Sequence, residues 1–384
     1  MTALPLDGHC DERFAAVREA FAANFADDAP AGADVGASVS VIAGGRTVVD
    51  LWGGHLDVAR TRPWERDTIV NVFSTTKTMC NLVALVLAGR GEIDLDAPVA
   101  RYWPEFAAHG KEGVLVRHLL AHTAGLSGWD EPLTTEDLYD HRRCADLLGA
   151  QAPWWEPGSR SGYHALTQGY LVGEVVRRVT GRSIGRWFAD EIAGPLGADF
   201  HIGTPAEHDH RIGDLIPAPP LASGVSADTA SLGYRTMANP VMRAESSSTT
   251  AWRRAEIPAA GGHGNARSVA RAQAAVSHGG VLDGHRLLPA EICERILEVQ
   301  AAGRDLVLGI GVTFGIGYGL NSPRAPIGPN PRLCYWGGWG GSLVVNDLDA
   351  NFTLAYVMNR MGEGTVGDDR AHTLLRAVYA SLGS

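Results

Sequence analysis

The chain has 384 residues, of which 45% are hydrophobic and 20% charged, with 47 glycines and 20 prolines. That is long enough for two cores, or for one core with a large insertion. A formal net charge of −10 argues against nucleic acid or an anionic membrane as the partner, since either calls for a basic stripe, and no apolar run reaches the roughly 18 residues of a bilayer span.

Residues 1–10 hold an acidic side chain, Asp7, and no apolar h-region, so a secretory leader is not expected and the chain reads as soluble and cytoplasmic. Residues 11–26 place Phe14, Val17, Phe21 and Phe25 on one helical face. Two β-rich runs, 35–42 and 47–52, flank Ala43-Gly44-Gly45 and predict a hairpin. From Thr75 to Ala88 the period turns helical, and Leu82 to Ala88 is apolar all round. A helix without a polar face is buried on every side, so Ser74 opens a central helix whose first turn points N–H groups at whatever binds there.

Residues 89–200 read as mostly helical, broken by loops such as 123–129. Residues 201–262 carry Pro205, Pro217, Pro219, Pro220, Pro240, Pro258 and little periodicity, the mark of a lid or pocket wall. Leu215, Ile216, Leu221, Trp252 and Ile257 would need cover there, which argues against a disordered linker. Helices are expected after Ala266 and from Pro289, then strand runs at 311–320, 332–337, 341–347 and 351–359 forming an antiparallel meander. A last helix presents Leu374, Leu375, Val378 and Leu382. Strands at both chain ends imply an α/β (α+β) fold, an antiparallel sheet with terminal helices and an inserted helical lobe. The expected division is 1–73 with 263–384 against 74–262. No internal repeat is visible.

Of 33 basic residues only Lys77 and Lys111 are lysine. Lys77 stands three residues after Ser74, a spacing expected about 0.1 times by chance in this composition. Positions i and i+3 share a helical face. An amine can lose its proton and serve a serine nucleophile, where a guanidinium cannot. The plain alternative is a surface lysine on a capped helix. The Ser74 N–H, at a helix N-terminus, supplies half of an oxyanion hole. Two further segments carry the missing groups. In Pro157-Gly158-Ser159-Arg160-Ser161-Gly162-Tyr163-His164, Tyr163 offers a phenol whose pKa a neighbouring lysine cation would lower, so that Tyr163 is expected to take the Ser74 proton at neutral pH and pass it to the leaving alcohol. In Trp336-Gly337-Gly338-Trp339, glycines let a substrate approach an edge strand, and the Trp339 N–H could complete the oxyanion hole.

These three segments, in this order, resemble the serine β-lactamase and penicillin-recognising family, specifically its class C-like esterase branch, the family VIII carboxylesterases. The Ser-x-x-Lys signature belongs to that family, and 119–126 and 259–264 support the likeness, which covers roughly 35–360. The resemblance implies a β-lactamase/transpeptidase-like fold, a Ser74 nucleophile, Lys77 and Tyr163 as the proton-handling pair, and an acyl-enzyme. It implies no cofactor and no metal. Two departures narrow the substrate. Tyr163-His164-Ala165 lacks the asparagine of Tyr-x-Asn, and Trp336-Gly337-Gly338 replaces Lys-Thr-Gly, removing the cation and hydroxyl that grip a carboxylate. An uncharged or weakly polar ester with a short acyl chain is expected, with Trp336, Gly337, Gly338, Trp155, Trp252 and His164 as substrate-binding positions and Trp129 close by. The alternatives are an acyltransferase, an amide hydrolase or D-aminopeptidase, a weak β-lactamase, or a non-catalytic binding protein.

Other motifs point elsewhere. Gly181-Arg182-Ser183-Ile184-Gly185 matches a nucleophile elbow, but it follows a helix rather than a strand; Ser183 reads as a helix cap. His208 and His210 lack partners at metal spacing, and His122 and His263 read as structural hydrogen-bonding residues. Cys10, Cys80, Cys144, Cys293 and Cys334 form neither a disulfide framework nor a zinc site.

Overall fold

Gly44 and Gly45 both adopt left-handed backbone, φ 54° and 75°, the conformation a tight two-residue hairpin needs. They join strands Gly36–Ala43 and Arg46–Gly54 as the sequence predicts. The structure, a computed structural model, describes residues 6–27, 29, 32–218 and 228–383; Pro219, Pro220 and Leu221 lie outside them.

In chain order the strands are β1 Leu6–Cys10, β2 Gly36–Ala43, β3 Arg46–Gly54, β4 Val70–Asn71, β5 His201–Ile202, β6 Gly262–Gly264, β7 Val281–Leu282, β8 His285–Arg286, β9 Ala301–Arg304, β10 Gly311–Phe314, β11 Gly319–Leu320, β12 Leu333–Gly337, β13 Leu343–Asp347 and β14 Phe352–Met358. Nine make one antiparallel sheet, ordered β1-β3-β2-β14-β13-β12-β11-β10-β9. The seam between the two chain ends is β14 on β2, with Met358 opposite Ala37 and Phe352 opposite Ala43. The predicted meander is present. Strands β1 and β9 are additions to the sequence reading, and both lie at sheet edges.

Every residue of β14 is buried, so both sheet faces are covered. Neighbouring residues on a strand point to opposite faces, and the contacts follow that rule. The Phe352 ring packs on Tyr379 of the helix Asp369–Gly383, while the Thr353 hydroxyl lies 2.7 Å from the Ser277 hydroxyl of the helix Ala266–Ser277.

The helix Thr76–Gly89 is buried from Thr76 through Leu87, as its all-round apolar sequence requires. It packs against the helices Thr167–Thr180, Ile184–Phe188 and Ala266–Ser277. A small sheet, β4-β6-β5, brings residues 259–264 alongside its start. The stretch 201–262 is less irregular than predicted: it holds the short helices Leu232–Met237 and Thr250–Arg254. Because both ends of the chain feed the large sheet, we propose the division 1–73 with 263–384 against 74–262. Strand β6 straddles that boundary. Among the described residues no helix is long and apolar enough to cross a membrane.

Candidate active site

Ser74 lies in the single turn Phe73–Thr75 that leads into the central helix. Two sets of hydrogen bonds fix this turn. On one side the Val72 N–H donates to the Gly262 carbonyl (2.9 Å), Asn71 Nδ2 donates to the Ala260 carbonyl (3.0 Å), and the Gly262 N–H donates to Thr76 Oγ1 (2.9 Å). On the other, Thr75 Oγ1 lies 2.9 Å from Ser342 Oγ, which donates to the Val72 carbonyl (3.3 Å). At Gly338 the end of β12 presses on the same carbonyl, and a Cβ there would sit 2.2 Å from the Val72 oxygen. The backbone is also strained. Phe73 holds a φ of 41°, unfavourable for a bulky residue, with its ring clamped between Trp252 and Trp339 at centroid distances of 6.3 and 5.1 Å.

Lys77 and Tyr163 converge on the serine. Lys77 Nζ is 3.1 Å from Ser74 Oγ, and the Tyr163 hydroxyl donates to the same oxygen at 2.7 Å. The Lys77 amine also donates to the Ala165 carbonyl (2.7 Å) and the Ala259 carbonyl (3.0 Å). A neutral amine has two N–H bonds and one lone pair. With both N–H bonds committed to carbonyls, the lone pair faces the serine proton.

Electrostatics favour that state. Lys77 is fully buried and no carboxylate pairs with it among the described residues, so desolvation lowers its pKa to about 7. Tyr163 departs from the expectation that Lys77 would depress it: burial, the largest influence, raises its phenol well above the ordinary value. A neutral amine exerts no cationic pull, so burial wins. The phenol therefore stays protonated and acts as a donor.

The candidate oxyanion donors follow from turn geometry. The Gly341 N–H donates to the Gly338 carbonyl (3.1 Å), closing a turn with Trp339 and Gly340 at its centre. Such closure leaves the two central N–H groups unpaired. The Gly340 N–H goes to the Gly364 carbonyl (2.9 Å), and the Trp339 N–H has no partner among the described residues, nor has that of Ser74. The arrangement can perform nucleophilic attack with a base on one side of the hydroxyl, an acid on the other, and two amide donors for the developing negative charge.

The remaining predicted positions divide. The Trp336 ring stacks on His122 (5.3 Å, 15°) and lies 6.1 Å from the Tyr163 ring. Gly337 and Gly338 are buried, where close approach of neighbouring backbone leaves no room for a side chain. Trp155 packs behind the Tyr163 loop, its ring against Gly162 and His164. Two substrate-binding expectations are corrected. His164 is fully buried, with Nδ1 donating to the Gly162 carbonyl (2.6 Å) and Nε2 accepting from the Leu126 N–H (3.1 Å). Trp252 is also fully buried, behind Phe73. Neither can touch a substrate without moving, because burial that holds the loop in place removes the ring from the cleft.

His122 is structural, as expected: Nδ1 accepts from the His164 N–H (3.1 Å), and burial keeps the ring neutral. His263 Nδ1 donates to the Gly261 carbonyl (3.0 Å). Ser183 caps a helix by accepting from the Arg186 N–H (3.3 Å), after Gly181 ends the previous helix in left-handed conformation. Among the described residues no His, Cys, Asp or Glu group could hold a metal. A surface cavity of about 700 Å³ lined by Arg66, Arg211 and Arg267 shares no residue with the site, and its arginines pair with Asp50, Asp67 and Asp199.

Sequence reasoning missed Asp305, buried beside Tyr163, and the carbonyls of Ala165 and Ala259 that orient Lys77. The run Ala259-Ala260-Gly261-Gly262 signalled close backbone approach but not its direction. Asp305 carried no signal at all.

Comparison with known proteins accords with this geometry. The beta-lactamase family profile matches residues 21–379. Esterase/beta-lactamase LipL of Mycobacterium tuberculosis is 36% identical over 375 residues, covering 95% of this chain and 85% of that protein. The crystal structure of a family VIII carboxylesterase superposes with a TM-score of 0.91 at 41% identity, covering 98% of this chain and 99% of that one. A penicillin-binding protein homologue from Caulobacter crescentus gives 0.90 at 38%, with the same coverage. This chain belongs to the beta-lactamase family.

Proposed function

We propose that this serine carboxylesterase hydrolyses small, weakly polar esters with short acyl chains through an acyl-enzyme on Ser74. The observation that carries the reading is the meeting of Lys77 Nζ and the Tyr163 hydroxyl on one serine oxygen, at 3.1 and 2.7 Å. Ser74 Oγ attacks the ester carbonyl and gives its proton to the neutral Lys77 amine. The N–H groups of Ser74 and Trp339 hold the tetrahedral oxyanion. On collapse the C–O bond to the alcohol breaks, and Tyr163 protonates the leaving oxygen. The Lys77 ammonium then restores the phenol proton. Water repeats the sequence in reverse and releases the acid. The aromatic rings of Phe73, Trp336 and Trp339, with an indole where penicillin-recognising relatives place a lysine, support an apolar ester over a carboxylate-bearing β-lactam. The esterase names of the relatives agree. All five cysteines are unpaired, which supports a reducing, cytoplasmic setting.

A fluorophosphonate probe tests the nucleophile: it should modify Ser74 and spare Ser183. The Ser74→Ala variant should lose about four orders of magnitude in kcat or more. Across p-nitrophenyl acetate, butyrate and decanoate, a cephalosporin and a D-amino-acid amide, turnover should be greatest on the short esters. Preference for the cephalosporin would overturn the ester reading, and alcohol acceptors that raise product alcohol above free acid would reassign it as an acyltransferase.

A further inference from the structure

Tyr163 lies outside any regular element, yet its phenol must stay within hydrogen-bonding reach of Ser74. Its backbone is held at three successive residues. The Gly162 N–H donates to the His122 carbonyl (3.0 Å), the Tyr163 N–H to Asp305 Oδ1 (3.0 Å), and the His164 N–H to His122 Nδ1 (3.1 Å). Only the middle anchor is a carboxylate, and it comes from a segment 142 residues away. Asp305 is 1% exposed and forms no ion pair among the described residues. Its Oδ1 accepts two further N–H bonds, from Val307 and Leu308 (2.9 Å each), so one oxygen gathers its own loop and the tyrosine together. The Leu306 N–H adds a strut to the Ser161 carbonyl (2.9 Å). The other oxygen, Oδ2, is buried without a partner. Burying half a carboxylate unsatisfied is costly, and the three N–H bonds gathered on Oδ1 are what offsets it. The position sits where the cost has a use.

We infer that Asp305 is the positioning residue of the proton donor: by gathering the N–H groups of Tyr163, Val307 and Leu308 on one oxygen, it sets the phenol at the Ser74 hydroxyl. It touches neither substrate nor reacting atoms. The inference rests on the proposed role of Tyr163, and Tyr163→Phe separates the two. Full activity in Y163F sinks the parent role. A crippled Y163F beside a normal D305A sinks this inference alone.

The test is steady-state turnover of p-nitrophenyl butyrate with a thermal melt for each variant. Asp305→Ala should lower kcat about 100-fold, the scale of a misplacement near 1 Å, while KM changes less than about threefold because no substrate contact is lost. Asp305→Asn keeps an oxygen at the Oδ1 position and should restore kcat to within about fivefold of wild type. If D305A fails to melt cooperatively, Asp305→Ser is read in its place, with the same kcat loss expected. The inference is overturned if the folded alanine or serine variant keeps its kcat, if KM rises as far as kcat falls, or if D305N is as impaired as D305A. It is equally overturned if both alanine and serine variants unfold, since the carboxylate would then serve folding.

Discussion

The two sides of the serine hydroxyl are built by different means. Lys77 reaches it from within one helix, by the i to i+3 geometry of a buried turn, and its surroundings are backbone carbonyls that cannot rotate away. Tyr163 reaches it from a loop whose placement depends on side chains of His122 and Asp305, at sequence separations of 42 and 142. A base held by regular structure tolerates little change in chemistry but much in distant sequence. A donor held by side chains is the reverse, so damage to the two sides should look different.

The largest effect is expected at Lys77. Arginine fits the charge but stays protonated, so Lys77→Arg should lower kcat by about three orders of magnitude, within the range of lost general-base catalysis. Retention of more than a tenth of the activity would show that the amine is not the base. The pH profile sharpens the same side. With Lys77 lowered to about 7 by burial, its amine is protonated and unable to accept below that value. Wild-type kcat/KM should therefore fall as pH drops through about 7 and level off above it, and an activity flat from pH 5 to 9 would contradict this assignment.

Gly338 probes what both sides share. A methyl group at 2.2 Å from the Val72 oxygen forces the turn of Trp339 away from the serine turn. Gly338→Ala should cost about 1–3 kcal/mol of stability and about tenfold or more in kcat, as expected for weakening an oxyanion donor. The smallest effect belongs to the decoy. Ser183→Ala removes a helix cap, costing about 1 kcal/mol, and should leave kcat and KM unchanged; a loss of turnover would revive the nucleophile elbow.

This contrast explains what could be read from the sequence. The hairpin at Gly44-Gly45, the central helix, the meander and the cap at Ser183 follow from local periodicity and turn chemistry, and so does the meeting of Ser74 with Lys77. Tyr163 was visible through the order of three motifs. The proton affinity of its phenol was not, because burial is a property of the whole fold and here outweighs the neighbour visible in the motif. Strands β1 and β9 are short and have no fully buried residue, which gives little apolar signal. His164 and Trp252 stood beside the right residues in sequence but face into the protein. Asp305 has a partner too remote for any local pattern.

Strand β12, which leads into the turn of Trp339, pairs between β11 and β13, and β14 then closes on β2 from the opposite end of the polypeptide. A nascent chain emerging from a ribosome thus displays serine, amine and phenol long before it owns a second amide donor. On the proposed mechanism, hydrolytic competence arrives only with the last strands to be synthesised.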